Sequence, residues 1–332
     1  MYSIYQHWDP LKVCIVGRSY PPEFYSYIVN SRVRSVMERI AIETEEDYQK
    51  LIKLLESFNV KILRPELKDS IEYYKMTDGK YFPPPMVPRD FTGMFGEKFF
   101  VARDPRYKNI IKDVTDNGNK IYSVPNVIVN TADTTRVGRD LYYGTSKPDD
   151  DILGIKKQYS QIFSEYRHHV INTGGHSDAS FCPVVPGLIV SLYDISNYAE
   201  TFPGWEVVYL PDQSWGAVAP FVNLKQKNYG KWWVPGEELN DDFTDFVESW
   251  LNHWVGYVEE TVFDVNMLVI DERNVVCNNY NKAVFDAFER NGITPHIINF
   301  RHRYFWDGGL HCITSDLDRE GTMKDYFPER EQ

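Results

Sequence analysis

Short runs typical of β-strands alternate with helical patterns along the whole 332-residue chain. Apolar and β-branched residues predict strands over 12–16, 60–63, 98–101, 120–124, 141–143, 169–171, 187–192, 206–210, 266–270 and 296–299. Apolar residues at helical spacing predict helices over 44–58, 107–114, 241–254 and 281–291. This alternation predicts the α/β class. Because no shift in composition marks a linker, we expect one domain over 1–332.

Capping residues indicate where the predicted helices begin and end. Thr44 is the expected N-cap of the first helix, and Asn281 is that of the last. Gly292 is expected to close the last helix. The strand–helix–strand pattern permits an internal repeat, although no repeat is visible as sequence identity.

The composition excludes several classes of protein. The net charge of −12 at pH 7 repels nucleic acid and anionic lipid, so we expect neither as a partner. No stretch approaches the roughly 20 apolar residues of a membrane span. The first residues lack the basic start and apolar block of a signal peptide, so we expect a cytoplasmic protein. Aromatic residues make up 15% of the chain, which leaves a homodimer open.

Four cysteines in so long a chain do not have the pattern of a disulfide framework or of a metal site. Cys14, Cys182 and Cys277 lie in or beside apolar runs, which is typical of buried core thiols. Cys312 differs because two glycines lie close before it in the run 308–316, and glycines allow a turn or a close approach to a ligand. Cys312 is therefore a candidate nucleophile.

A nucleophilic thiol needs a base or a cationic neighbour. His176 follows two glycines and precedes Asp178 by two residues, and an extended backbone would place both side chains on one face. His311 is a poor direct base for Cys312, because neighbouring side chains of an extended segment point to opposite faces. An ordinary turn histidine is the alternative interpretation of His176.

Two further polar stretches supply candidate site residues. Asp90 ends the run Pro88-Arg89-Asp90 after a proline-rich loop. Asn130 and Asp133 lie in a polar stretch over 130–140, just before a predicted strand. Taken alone, each stretch is more simply a surface turn with internal ion pairs.

These pieces occur together and in order in one known family. The chain resembles the amidinotransferases of the guanidino-group-modifying superfamily, and most closely the glycine amidinotransferases. The matching runs are 136–140, 176–191, 266–273, 291–294 and 308–326. The first 85 residues match poorly.

The resemblance implies both a fold and a set of roles. The fold would be a five-fold pseudosymmetric α/β propeller (pentein) built of ββαβ-type modules. Cys312 would be the nucleophile and His176 the general acid and base. Asp90 and Asp178 fall on the two carboxylates that hold a guanidinium.

Two positions depart from the family. The acid that orients the histidine falls on Asn130, which can orient an imidazole but cannot stabilise its charged form. Asp133 is a nearby carboxylate that can substitute, and we count it with the substrate-binding residues. The arginine that holds the donor's carboxylate in the family falls near Ile195.

The resemblance implies an enzyme that moves the amidino group of arginine to a primary amine and releases ornithine. The amidino group would be carried on Cys312, and no cofactor or metal is expected. Glycine is the first expectation for the acceptor, with guanidinoacetate as the product. A guanidino-group hydrolase resembling arginine deiminase is the alternative in chemistry. A non-catalytic protein that binds a guanidino compound is the third interpretation.

Overall fold

Five three-stranded sheets of one topology form the β-structure of the described residues. The computed structural model describes residues 1–122, 131–145, 152–210, 232–256 and 262–330. In each sheet the middle strand pairs antiparallel with one neighbour and parallel with the other. A helix connects each parallel pair, since parallel strands need a crossover connection. The predicted α/β class is confirmed.

The strands are numbered along the chain. The first sheet contains β1 (Leu11–Val16), β2 (Lys61–Leu63) and the last strand, β15 (Thr314–Arg319). The others contain β3 (Thr92–Phe95), β4 (Lys98–Val101) and β5 (Lys120–Tyr122); β6 (Thr134–Val137), β7 (Asp140–Thr145) and β8 (Arg167–Asn172); β9 (Phe181–Val185), β10 (Leu188–Ser191) and β11 (Glu206–Tyr209); and β12 (Leu268–Asp271), β13 (Asn274–Cys277) and β14 (Thr294–Ile297). We call β3, β6, β9, β12 and β15, which pair antiparallel with the middle strands, the leading strands.

The α-helices in the described ranges vary widely in length. They are α1 (Ser31–Ser57), α2 (Lys108–Asp116), α3 (Ile152–Ile162), α4 (Tyr198–Thr201), α5 (Asp241–Phe246), α6 (Val262–Val265), α7 (Lys282–Arg290) and α8 (Arg303–Trp306). Short 3₁₀ turns cover Pro22–Tyr27, Ile71–Tyr74, Pro88–Asp90, Pro105–Tyr107 and Ser177–Ala179. A π-helical turn, Val247–Leu251, continues α5.

Helix α1 begins thirteen residues before the helix predicted from the sequence. Its N-cap is Asn30, whose Oδ1 accepts hydrogen bonds from the backbone N–H groups of Arg32 and Val33. Thr44, the predicted N-cap, is instead fully buried within the helix, and its hydroxyl accepts a 2.9 Å hydrogen bond from Trp306 Nε1. Threonine satisfies its hydroxyl equally well through a tertiary partner, so its position alone did not identify the helix start.

Other boundaries differ by smaller amounts. β12 begins at Leu268, and Asn266, which the strand prediction included, lies before it. β14 ends at Ile297, two residues before the predicted end. The helix predicted over 241–254 is α-helical only to Phe246. The last predicted helix matches α7, because Asn281 caps it through bonds from Ala283 N–H and Val284 N–H.

Buried side chains from sheets and helices form the core. The apolar face of α1 packs in the largest cluster together with Trp232, Trp254 and Trp306. All four cysteines are buried and free of disulfide bonds, as expected from the sequence for Cys14, Cys182 and Cys277. None of the helices in the described residues is long and apolar enough to cross a membrane.

The candidate site residues share a position relative to the leading strands. Each of them lies one to five residues before such a strand begins: Asp90 before β3, Asp133 before β6, His176 and Asp178 before β9, and Cys312 before β15. Asn266 stands at the corresponding place before β12. The fold therefore brings one short polar segment from every sheet into the site.

Candidate active site

Cys312 lies in a turn, 310–313, between α8 and β15. The backbone N–H of Ile313 donates to the carbonyl of Gly309, and that of Thr314 donates to the carbonyl of His311, at 3.0 and 3.2 Å. A Cβ on Gly309 would lie 2.5 Å from Oδ1 of Asn266, so this position requires glycine. The close approach expected from the paired glycines is thus made to a neighbouring side chain.

Asn266 holds both the turn and the thiol. Its Oδ1 accepts hydrogen bonds from the backbone N–H groups of His311 and Cys312, at 2.9 and 3.1 Å. Its Nδ2 donates to the Sγ of Cys312 at 3.0 Å and to the backbone carbonyl of Asp178 at 3.1 Å. Asn266 is 1% exposed. The strand predicted over 266–270 includes Asn266, and the sequence analysis therefore misses its role. The signal that identifies it is its position shortly before a leading strand, which it shares with the other site residues.

One carboxylate oxygen, Oδ2 of Asp178, contacts two neighbours in the cysteine turn. It lies 2.8 Å from Nδ1 of His311 and 3.3 Å from Sγ of Cys312. The extended geometry assumed for this segment was wrong: in the turn, His311 and Cys312 reach the same oxygen. The second oxygen of Asp178, Oδ1, is buried without a hydrogen-bond partner among the described residues.

His176 and Asp90 form a second pair of ionisable side chains in the site. Nδ1 of His176 is 3.8 Å from Oδ1 of Asp90, and their side chains are 44% and 28% exposed. Asp90 ends the 3₁₀ turn Pro88–Asp90, and Asp178 lies in the 3₁₀ turn Ser177–Ala179, where we had expected extended backbone. Oδ1 of Asp90 has no hydrogen-bond partner in the described part of the chain.

Burial and clustered negative charge shift the pKa values of the site. Burial, reinforced by the charges of Asp178 and Asp90, raises the pKa of the Cys312 thiol well above its usual value. Burial also raises the pKa of Asp90 to about 7, with Asp178 adding to the effect and His176 opposing it. Burial lowers the pKa of His176, but Asp90 and Asp178 outweigh this and raise it overall.

His311 behaves as a neutral hydrogen-bond donor. Burial, with the charge of Arg89, lowers the pKa of His311 to about 4 despite its contact with Asp178. Burial opposes the ionisation of Asp178, but the hydrogen bond from His311 prevails and lowers its pKa. The carboxylate of Asp178 is therefore charged at neutral pH, and His311 fixes its orientation.

A buried cluster of ion pairs, centred on Asp316, contacts the cysteine turn through Arg89. Asp316 accepts hydrogen bonds from Arg89 Nη1, Arg136 Nη2 and Arg319 Nε at 3.1, 2.7 and 2.7 Å. Nε of Arg89 also donates to the backbone carbonyls of His311 and Thr314. Arg89 thus ties the segment that carries its neighbour, Asp90, to the cysteine turn. The alternative interpretation, a surface turn with an internal ion pair, does not describe Arg89, because Arg89 is fully buried and its partner Asp316 lies in β15.

The remaining predicted residues have different outcomes. Asp133 is half-buried, and its charge contributes to the raised pKa values of Asp90 and His176. Asn130 lies outside the described residues. Ile195 packs against a hydrophobic core, in agreement with the absence of a basic residue at this position.

Comparisons with known proteins agree with this geometry. No protein-family model matches the chain. Mitochondrial glycine amidinotransferase of Xenopus tropicalis is 24% identical over 392 aligned positions, which cover 97% of this chain and 84% of that protein. The L-arginine:L-lysine amidinotransferase of Pseudomonas savastanoi pv. phaseolicola is 22% identical, with 97% and 96% covered. These alignments extend through the first 85 residues, where the sequence alone had shown a poor match.

Solved structures of the same kind share the fold. SxtG, an amidinotransferase from Microseira wollei in the saxitoxin biosynthetic pathway, superimposes with a TM-score of 0.68 at 18% identity, covering 98% of this chain and 99% of that one. Inosamine-phosphate amidinotransferase StrB1 from Streptomyces griseus gives 0.69 at 19% identity, with the same coverage.

These relatives and structures confirm the resemblance of the chain to the amidinotransferases, and it is an enzyme of this kind. A more distant likeness joins this amidinotransferase to the N-terminal domain of ArgZ, a cyanobacterial arginine dihydrolase, with a TM-score of 0.53 at 11% identity, covering 92% of this chain and 98% of that one. The relatives named above differ in their amine acceptors, so the family alone does not identify the acceptor used here.

Proposed function

We propose that this amidinotransferase moves the amidino group of arginine to a primary amine through a covalent intermediate on Cys312. The observation that carries the proposal is a buried thiol in contact with Asp178, together with a second carboxylate, Asp90, whose charge also acts on the thiol. Each of the two carboxylates has a buried oxygen that has no partner among the described residues. Buried polar atoms without partners are costly, and a guanidinium supplies N–H donors in one plane. Asp133 adds negative charge to this substrate-binding set.

Substrate binding would activate the thiol. Burial and the nearby carboxylates oppose formation of the thiolate. A guanidinium held by Asp90 and Asp178 offsets their negative charge, which lowers the pKa of Cys312, so that the thiol gives its proton to water. The nucleophile is thereby formed when the substrate is in place.

The chemistry then proceeds in two halves. Sγ of Cys312 forms a bond to the guanidinium carbon, the bond from this carbon to the departing nitrogen breaks, and His176 gives its proton to that nitrogen, releasing ornithine. The acceptor amine attacks the amidino-thioether, gives a proton to His176, and the carbon–sulfur bond breaks. The raised pKa of His176 suits a group that begins the first half protonated. Asn130 is the proposed orienting partner of His176.

We propose that the five sheets close into a five-fold pseudosymmetric α/β propeller formed by a single domain over 1–332. The proposal is supported by a small cavity that is lined by residues in or just before the leading strands of all five sheets. Its lining includes Arg89 near β3, Arg136 in β6, Cys182 in β9, Met267 before β12 and His311 before β15. Leading strands that surround one axis would account for this convergence.

Intact-protein mass spectrometry after mixing with arginine tests the proposed function. We expect a shift by one amidino group in the wild type and no shift in Cys312→Ala. Ornithine should appear in the amount of the adduct, and further ornithine should require an added amine. Glycine is the first acceptor to test, because several curated relatives carry its name. A wild type that shows neither adduct nor ornithine contradicts the proposal.

A guanidino-group hydrolase is the second candidate, and the likeness to the arginine dihydrolase ArgZ supports it. A hydrolase passes the amidino group to water, so it needs no acceptor amine. The two candidates differ in their products from arginine: citrulline and ammonia formed without an added amine would favour the hydrolase.

A further inference from the structure

A cavity of about 720 Å³ lies beside the sheet of β6, β7 and β8. Its wall comes from the turn between β6 and β7, from α3 and the segment that follows it, and from the start of β8. Four of the described lining side chains are cations: Arg139, Lys156, Arg167 and Arg330. Glu165 is the one carboxylate in this described lining. Because the whole chain carries a net charge of −12, so positive a lining indicates a site for an anion.

Arg167 and Arg330 share the buried carboxylate of Asp140. Nη2 of Arg167 lies 2.7 Å from Oδ2 of Asp140, and Nη1 of Arg330 lies 2.9 Å from Oδ1. Arg167 also pairs with Asp325. These two guanidinium groups therefore have acceptors within the protein, and the ion pairs hold them in place as part of the lining.

Arg139 and Lys156 differ, because neither side chain donates a hydrogen bond to another described residue. Nη1 of Arg139 is 3.6 Å from Oδ2 of Asp325, which is beyond hydrogen-bond distance, and the Arg139 side chain is 32% exposed. Lys156, on α3, is half-buried and forms no ion pair within the described ranges. A guanidinium carries five N–H donors and an ammonium carries three. Donors on two cations are therefore available to a ligand in the cavity.

The charged groups around the cavity leave an excess of two positive charges. The four lining cations stand against two paired carboxylates, Asp140 and Asp325. Glu165 is offset by Lys98, whose Nζ lies 2.8 Å from Oε1 of Glu165. The two histidines of the lining, left out of this balance, add no negative charge. A phosphate monoester carries close to two negative charges at neutral pH, which matches the excess.

We propose that this cavity binds a phosphate group, of inorganic phosphate or of a small phosphorylated molecule, through Arg139 and Lys156. A guanidinium donates two parallel N–H bonds to two phosphate oxygens, and an ammonium binds a third oxygen as a point charge. Ser164 lines the same cavity and adds a hydroxyl donor. A cavity of this size also has room for the remainder of a phosphorylated molecule. The described candidate active-site residues do not line it, so this binding is separate from the proposed transfer through Cys312.

Isothermal titration calorimetry of the whole chain at constant ionic strength tests the site. Inorganic phosphate, glycerol 3-phosphate, glycerol and acetate are the probes. We expect the two probes that carry phosphate to bind saturably at a single site and glycerol not to bind. Acetate should bind about tenfold more weakly or worse, because it carries one charge. Tighter binding of glycerol 3-phosphate than of inorganic phosphate assigns the site to a phosphorylated molecule, and equal or weaker binding assigns it to inorganic phosphate.

Single substitutions locate the binding. Arg139→Gln and Lys156→Gln should each weaken the binding of glycerol 3-phosphate about tenfold, because each removes one charge-assisted hydrogen bond. Lys157→Gln is the matched control: it removes the same charge from the next residue of α3, which is exposed and does not line the cavity. This variant should bind glycerol 3-phosphate as the wild type does. All three variants should still form the arginine adduct.

The outcomes separate this site from the proposed function. A wild type that binds neither phosphate-bearing probe overturns the site, whether or not the arginine adduct forms. Unchanged dissociation constants in Arg139→Gln and Lys156→Gln also overturn it. So does an equal loss in Lys157→Gln, because the effect would then come from net charge alone. If Arg139→Gln does not fold, Lys156→Gln and its control decide the test.

Discussion

The thiol of Cys312 is held by hydrogen bonds that have opposite effects on its ionisation. The contact with Asp178 raises the pKa of Cys312, whereas the N–H donated by Asn266 lowers it. Burial adds to the first effect. The balance favours the thiol, and Asn266 is the described side chain that favours the charged form of the sulfur by a direct hydrogen bond.

Replacement of Asn266 should shift the reactivity of Cys312 to higher pH. Asn266→Ala removes the N–H donor to sulfur and leaves two backbone N–H groups without an acceptor, at a cost of about 1–3 kcal/mol for each. Asn266→Asp keeps an acceptor for those groups but places a negative charge beside the sulfur. We expect both variants to need higher pH for alkylation by iodoacetamide, measured as a rate at Cys312 by mass spectrometry.

The two variants separate the effect on the sulfur from damage to the turn. Asn266→Asp keeps the acceptor for the backbone N–H groups of the turn, whereas Asn266→Ala removes it. Cys312→Ser shows how much alkylation occurs at the other thiols. A pH profile that is the same in the wild type and both variants would exclude Asn266 from any role in the ionisation of Cys312.

Asp90→Asn should stabilise the fold above neutral pH. The pKa of Asp90 is raised to about 7, so between its unfolded value, about 3.9, and 7 the native state holds a proton that the unfolded state has lost. Stability therefore falls as pH rises through this window. Asparagine carries no such charge. We expect the Tm difference, variant minus wild type, to grow by a few degrees between pH 5 and pH 8, while transfer activity is lost.

A Tm difference that stays constant across this pH range would mean that Asp90 is as easily ionised in the folded protein as in the unfolded chain. Asp113→Asn, which removes the carboxylate of a surface ion pair with Lys61, serves as the control.

At the scale of elements, helix α1 supports the site from a distance. Thr44 accepts a hydrogen bond from Trp306 in α8, and Asp47 accepts bonds from the backbone N–H and Nε of Arg301 at 2.9 and 3.0 Å. Helix α8 leads directly into Asp307 and the cysteine turn. The placement of Cys312 thus depends on a helix whose residues come from the beginning of the chain.

The N-cap of α1 can be tested with two substitutions at Asn30. Asn30→Ala removes the acceptor for the first N–H groups of the helix and should lower the free energy of unfolding by about 1 kcal/mol. Asn30→Ser keeps a capping oxygen and should remain close to the wild type. Both variants lose the side-chain hydrogen bond to Asp242, so the difference between their free energies of unfolding reports the N-cap bonds alone. Urea unfolding measures these free energies. Equal values for the two variants would mean that Asn30 does not cap α1.

Strands and helices were predicted from the sequence where local patterns were sufficient. The residues of β4 and α7 follow simple apolar patterns bounded by turn and capping residues, and both were found. The first half of α1 was missed although its buried apolar residues stand at helical spacing, because Thr44 resembles an N-cap and the true cap, Asn30, lies fourteen residues earlier. The role of Asn266 depends on contacts with residues 178 and 312, which no local pattern contains.

At the scale of the whole molecule, Asp316 joins several sheets. It lies in β15 and binds Arg89, which precedes β3, and Arg136, which lies in β6. Arg319, its third partner, donates to the backbone carbonyl of Val269 in β12 at 2.8 Å. The polar motif around Arg136 was recognised in the sequence, but its partner lies 180 residues away, so its structural role required the fold.

Asp316→Asn should destabilise the protein strongly. It leaves three buried guanidinium groups without their shared carboxylate, and breaking a buried ion pair costs about 3–5 kcal/mol. These arginines hold the pKa of Asp316 well below its usual value. The stabilisation is therefore complete above the unfolded pKa of about 3.9, and it is lost only as pH falls below that towards the native value.

Urea unfolding at pH 7, 5 and 3.5 measures this effect. We expect Asp316→Asn to lower the free energy of unfolding by equal amounts at pH 7 and pH 5. The difference from the wild type should begin to shrink at pH 3.5. Asp318→Asn, two residues further along β15, is the matched control, because asparagine can still accept the hydrogen bond from Ser3 N–H. If Asp316→Asn lowers the free energy of unfolding no more than Asp318→Asn does, the negative charge shared by the three arginines does not stabilise the fold.

The pairing of β1 with β15 also has a consequence for protein synthesis. β1 and β2 leave the ribosome before the strands of the other four sheets, but β15, which completes their sheet, leaves after them. The turn that carries Cys312 is made immediately before that strand. A nascent chain can fold the other four sheets one after another, yet the turn that carries Cys312 becomes ordered only when β15 has joined the sheet of β1 and β2.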